Sequence, residues 1–214
     1  MTAEGEDLSR IRSISDGIFA FAMTLLVITI VVPSMATLAR IAPGESTNSQ
    51  LTQYLLQDWS VFFAYSLAFY VAARWWSSHH RLFRYVYRYD GTLNALNFAL
   101  LGLIALTPFD TGLLGAYGFD WVSVVFYAAA QALVGLVFLL MCSYLVGPGR
   151  RLLYPDAPLA DISQRRRASG LIAAAFAISI PVALVEPVAA YILWTVVVSL
   201  ATITRRGRTP QPAP

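Results

Sequence analysis

The chain has one cysteine, two adjacent histidines and no lysine, and only 13% of its 214 residues are charged, against about 25% in an ordinary soluble domain. The lone Cys142 excludes an intrachain disulfide and a thiolate metal cluster, and its place inside an apolar run marks it as a packing residue. The sequence contains neither a GxSxG nor an HExxH arrangement, and its acids are too scattered to build a metal cage. The low charge argues against a water-soluble domain. The net charge of +3 rests entirely on arginine, which in other chains can signal nucleic acid. Here the arginines flank apolar segments, so membrane topology accounts for them and no nucleic-acid partner is expected.

What the sequence does have is apolar runs long enough to cross a hydrocarbon core about 30 Å thick at 1.5 Å per residue. Runs set against helix breakers predict an all-α membrane protein with spans at 14–32, 55–76, 93–109, 119–146, 168–185 and 187–204. The first run is longer than a usual signal-peptide core and is read as a retained helix; cleavage near Ala36 is the competing reading. The last two spans are split at Glu186 and Pro187, where a charge beside a helix breaker marks a hairpin, in preference to one long tilted helix. The outer loop 33–53 is expected to carry a short interfacial helix, residues 1–208 to form one membrane domain, and the proline-rich tail 209–214 to be disordered.

Arginine position gives an independent test, because cytoplasmic loops concentrate positive charge. Arg10 and Arg12 precede the first span, and Arg81, Arg84 and Arg88 follow the second; Arg150, Arg151 and Arg165 to Arg167 lie between the fourth and fifth, and Arg205, Arg206 and Arg208 follow the sixth. All fall on one side of a six-span topology, whereas Glu45, Asp58, Asp110, Asp120 and Glu186 gather on the other with Arg40. Both termini are therefore expected to be cytoplasmic.

The first span, from Arg10 to Pro33, reads RIRSISDGIFAFAMTLLVITIVVP. At about 100° per residue, Ile14, Gly17, Phe21, Thr24, Leu25, Ile28 and Val32 share one face, while Arg12 and Asp16 lie opposite. The stripe suits lipid contact or helix packing; it equally suits stacked apolar rings with a hydroxyl ring at Thr24 around a symmetry axis, and pattern alone does not choose. Asp16 is costly in a membrane unless paired or wetted, and its position favours a clasp over a cation site. Arg12 at i−4 and the His79–His80 region are its candidate partners.

Arg10, three intervening residues, Ile14, Ser15 and Asp16, followed by GIFAFAMTLLV, resemble the R-x-x-x-F-S-D signature of the transmembrane protein 175 family. A second segment, WWSSHHRLFRYVYRYD from Trp75 to Asp90, with LNFALLGLIALTPFDTGLL after it, looks like the same family's second-to-third helix region. The resemblance covers most of the chain and is weak in the last two spans. It implies a multi-pass, potassium-permeable channel of the cell (plasma) membrane, with no cofactor, in which six-helix subunits form homotetramers around the first helix and conduct potassium and other monovalent cations. Like the family, the chain lacks a TVGYG filter. The family's constrictions fall on Phe21, Leu25 and Ile28, with Thr24 between them, all members of the stripe.

Two departures stand out. Ile14 replaces the signature phenylalanine and keeps an apolar plug without its ring, and Phe21 stands where the family usually has isoleucine or leucine, which makes that ring bulkier. The signature arginine aligns with Arg10, which is expected to reach neighbouring helices. Trp76, His79 and His80 belong to the second motif; two adjacent imidazoles point about 100° apart on a helix and chelate one ion poorly. A structural hydrogen bond to the Ser15–Asp16 region is favoured over proton sensing and over a metal site. Asp90 is expected to cap the third span.

Two other classes compete with a channel. A proton-coupled transporter usually needs acids near the midplane and broken helices, but only Pro181 is read as interrupting a span. A membrane enzyme built on His79, His80 and Asp90 lacks any supporting motif. A non-conducting relative of the channel family is the remaining alternative.

Overall fold

The computed structural model describes residues 3–118 and 120–206, with side-chain surroundings described for 8–118 and 120–196. Among these, the chain is all helical: α1 (Ala3–Leu25), a 3₁₀ turn (Leu26–Thr29), α2 (Met35–Ile41), α3 (Thr47–Gln57), α4 (Trp59–Phe83), α5 (Gly91–Tyr117), α6 (Trp121–Val146), a 3₁₀ turn (Arg150–Leu152), α7 (Leu159–Val185) and α8 (Pro187–Arg206). Small polar residues begin the helices by satisfying free backbone N–H groups. Ser34 and Ser46 accept from Thr37 and Ser49, and Asp120 accepts from Val122. Asp90 caps α5 through the Leu93 N–H at 3.0 Å. Burial pushes the Asp90 carboxyl upward, but the Leu93 N–H, the Tyr144 hydroxyl and Arg151 outweigh that and hold it below the usual carboxylate range.

Four segments, Leu8–Thr29, Gly91–Tyr117, Trp121–Val146 and Leu159–Val185, are long and apolar enough to cross a membrane among the described residues. Several element ends differ from the apolar runs, each for a physical reason. α1 stops at Leu25 and tightens into a 3₁₀ turn, because the β-branched sequence that follows loses side-chain freedom in a helix. Val32 therefore lies beyond the helix and outside its stripe. The run beginning at 55 is cut at Asp58, so Leu55 belongs to α3, and α4 continues to Phe83 through polar residues that hydropathy discounts. α7 begins at Leu159, so Arg165, Arg166 and Arg167 sit in its first turns and not in a loop; arginine is a good helix former. Pro108 lies inside α5 as Pro181 lies inside α7, so among the described residues two helices, not one, carry a proline in their interior. The outer segment holds two short helices, α2 and α3. The tail 209–214 and Phe119 lie outside the described residues.

Glu186 separates α7 from α8, where Pro187 takes the first helical position and the Glu186 carboxylate accepts from the Val188 N–H at 3.2 Å. At the opposite end of the bundle, the α4–α5 and α6–α7 connections pair across a Val86–Leu153 bridge, with Tyr154 N–H on Tyr85 O at 2.9 Å. The start of α1 joins them there through Arg12, so the arginine-bearing ends of α1, α4 and α7 gather at one end.

One buried cluster at that end joins Phe19, Trp75, Leu82, Leu100 and Phe138 from α1, α4, α5 and α6; a second, towards the other end, packs Tyr127, Phe176 and Trp194 in tilted and edge-on contacts. The Trp194 indole N–H reaches Ser179 Oγ at 2.8 Å. α6 and α7 pack most intimately because a glycine permits it: a Cβ on Gly135 would stand 2.9 Å from Ala173 Cβ and 3.1 Å from its backbone. Gly135→Val is expected to cost about 1–3 kcal/mol by overpacking, read as a lower apparent melting temperature in detergent. Gly102→Ala, where a new Cβ meets nothing within 4 Å, is expected to stay within about 0.5 kcal/mol of the parent.

Candidate functional site

α1 has two faces of different fate. Ile11, Ser15, Phe19, Ala22 and Leu26, at helical spacing, are buried against α4 and α5. Ile14, Gly17, Phe21, Thr24 and Ile28 are exposed, Phe21 at 66% and Ile28 at 68%, and Leu25 is half-buried between the faces. The 3₁₀ turn Leu26–Thr29 follows directly on Leu25 and carries Ile28 on its exposed side. The Thr24 hydroxyl donates to the Phe21 carbonyl at 2.8 Å, which commits its hydrogen and leaves the oxygen's lone pairs facing outward.

Polar bonds on the buried face hold this orientation. The fully buried Ser15 hydroxyl donates to Ile11 O at 2.8 Å and accepts from Asn97 Nδ2 of α5 at 3.1 Å. The amide is thereby oriented, so Asn97 Oδ1 must accept from His79 Nε2 of α4 at 2.8 Å. His79 is buried, stacked on Phe83 with ring centroids 4.3 Å apart and tilted against Phe19 at 5.6 Å. The histidine thus reaches Ser15 through Asn97, a residue that the sequence reading did not single out. Its signal was visible: an asparagine inside an apolar run has to find a partner.

Asp16 makes the second tie. Its Oδ1 accepts from the Trp76 indole N–H at 2.9 Å, and His80 Nδ1 lies 3.8 Å away. Arg12 is not its partner. The Arg12 guanidinium instead donates to Phe83 O, the last carbonyl of α4, at 2.6 Å and to Val86 O, in the connection that follows, at 2.7 Å. A small cavity of ≈ 80 Å³ lies between these groups, lined by Arg12, Asp16, His79, His80, Phe83 and Arg84. His79 and His80 face different sides of α4, one sealed on Asn97 and one half-exposed beside Asp16, so they do not converge on a common ion. Arg10 is exposed on α1.

The family profile of the endosomal/lysosomal potassium channel TMEM175 matches residues 10–108, the stretch that contains every one of these contacts. A potassium channel of Streptomyces collinus is 32% identical over 167 residues, covering 75% of this chain and 76% of that protein. One of Chamaesiphon minutus is 35% identical over 114 residues, covering 53% of this chain and 52% of its own. The fold is similar to the crystal structure of a lysosomal potassium-selective channel TMEM175 homologue from Chamaesiphon minutus, with a TM-score of 0.77 at 23% identity, covering 93% of this chain and 98% of that one.

Loss of the Asn97 amide strands two buried groups, Ser15 and His79, on different helices. Asn97→Leu is expected to destabilise the protein by about 1–3 kcal/mol in thermal unfolding. Trp76→Phe, which removes one half-exposed donor, is expected to cost about 0.5–1.5 kcal/mol.

Proposed function

The chain belongs to the TMEM175 family, whose matched bacterial relatives are potassium channels and not enzymes, and on that premise we propose that it is a potassium-permeable cation channel whose pore is lined by α1. The observation that carries this proposal is the outward apolar face of a helix whose rotation is fixed from behind by hydrogen bonds. In a homotetramer, four such faces would meet on the symmetry axis. Phe21, Leu25 and Ile28 would then form apolar constrictions that gate by excluding water, and Thr24 would offer a ring of hydroxyl oxygens to a partly hydrated cation. Phe21 makes its ring bulkier than an aliphatic residue would. Arg10, Ile14, Ser15, Asp16, Trp76, His79 and His80 are structural in this arrangement: they seat α1 on α4 and α5 and need not touch the ion.

In the same proposal α1, α4, α5, α6, α7 and α8 each cross the membrane, with no cofactor and with lipid around them. The 25 residues of α4 extend about 37 Å, enough to span despite its polar end. The gathered arginines of α1, α4 and α7 would face the cytoplasm, with both termini on that side, and the protein would be a multi-pass component of the cell (plasma) membrane.

Reconstituted in planar bilayers under opposed potassium and sodium gradients, the protein is expected to give currents that reverse towards the potassium equilibrium potential. Well-folded tetramers that pass no current would place the chain among non-conducting relatives. Leu25→Ser and Ile28→Ser are each expected to raise potassium flux into liposomes severalfold, whereas unchanged flux would remove those side chains from the permeation path.

A further inference from the structure

The end of the bundle where the arginines gather holds more buried guanidinium donors than its acids can satisfy. Arg165, in the first turns of α7 and only 8% exposed, spends its Nε and Nη2 on Asp161 Oδ2 at 3.0 and 2.8 Å. The Tyr85 hydroxyl takes the same oxygen at 2.9 Å, so three donors converge on one carboxylate oxygen. Arg165 Nη1 is buried with no partner among the described residues. Arg81, in the last turns of α4, has both Nε and Nη2 buried and unpartnered. Those two nitrogens form the side-on edge of the guanidinium, the fork that grips two oxygens of an oxyanion at once. The charges acting on Arg81 are Arg165 and Arg74, both positive, against the single carboxylate of Asp161.

We propose that the Arg81 fork and Arg165 Nη1 form a binding site for a phosphate-bearing anion at the arginine-rich end of α4 and α7. Three guanidinium groups against one carboxylate leave an uncompensated positive charge that a phosphate balances. The tetrahedral phosphate also has oxygens enough to take the fork from one arginine and a further N–H from another, which a carboxylate held by the fork has not. Basic pockets between membrane helices on the cytoplasmic side take anionic lipid headgroups by this chemistry, and a soluble phosphate would use the same donors. The site lies on α4 and α7, away from the exposed face of α1, and stands whether or not α1 conducts.

The test uses the full-length protein in detergent, with two probes applied separately: phosphatidylglycerol, scored by native mass spectrometry against phosphatidylcholine, and inorganic phosphate without lipid, scored by thermal stability. Arg81→Gln is expected to weaken the bound anion about tenfold, and Arg81→Lys, which keeps the charge but loses the fork, to weaken it comparably. Arg150→Gln, at an exposed arginine, is expected to stay within about twofold. Dependence on Arg81 in the lipid arm identifies a headgroup, and in the phosphate arm a soluble anion; either supports the site. The proposal is overturned if neither probe binds in an Arg81-dependent way, if Arg81→Lys binds like the parent, or if Arg150→Gln loses as much as Arg81→Gln. Should Arg81→Gln fail to fold, the Arg81→Lys comparison decides alone.

Discussion

The rotation of α1 about its own axis rests on the hydrogen-bonded chain from Ser15 through Asn97 to His79. Apolar contacts cannot supply that constraint in a membrane, since lipid tails are as apolar as the helix they would be exchanged for. A buried amide that finds two partners on two other helices can, because any rotation of α1 strands polar groups in a medium that cannot solvate them. Asp16, the next residue along, on Trp76 and Arg12, one turn back, on Phe83 O and Val86 O repeat the constraint. With three ties on one face, Phe21, Thr24 and Ile28 have one direction left to point.

Much of this was legible in the sequence, and for identifiable reasons. The α1 stripe followed from a period of 3.6, and exposure falls on Ile14, Gly17, Phe21, Thr24 and Ile28 as the wheel drew them, while Leu25 is half-buried and Val32 lies beyond the helix. The Asp90 cap and the hairpin at Glu186 and Pro187 followed from local chemistry that does not depend on tertiary contacts. What was not legible depended on other helices. Arg12 sits four residues from Asp16 and looks like its partner, yet the strong acceptors are carbonyls brought alongside by α4, invisible to any helical wheel. Asn97 was visible only as an asparagine in an apolar run. Its two partners are 82 and 18 residues away, and no spacing rule connects them.

The element ends show a similar division. Hydropathy located the middles of helices and misjudged their ends, because helix formation is governed by backbone satisfaction and side-chain entropy while hydropathy registers only transfer to lipid. α7 therefore runs through three arginines into Leu159, and α1 gives way to a 3₁₀ turn inside an unbroken apolar sequence. The second difference bears on function. If α1 lines a pore as proposed, the tighter turn lengthens the rise between Leu25 and Ile28 relative to an α-helix and so spreads the two side chains along the axis.

The central claim is that the exposed face of α1 meets its own copies. A cysteine placed at Thr24 tests it directly, since Cys142 is the only native cysteine and is buried. Oxidative cross-linking of Thr24→Cys in membranes is predicted to yield disulfide-linked subunit dimers, while Leu133→Cys, on an exposed position of α6, yields none under the same conditions. A Thr24→Cys protein that stays monomeric while its thiol is freely alkylated would contradict the account, for it would show that the face lies against something other than a second α1.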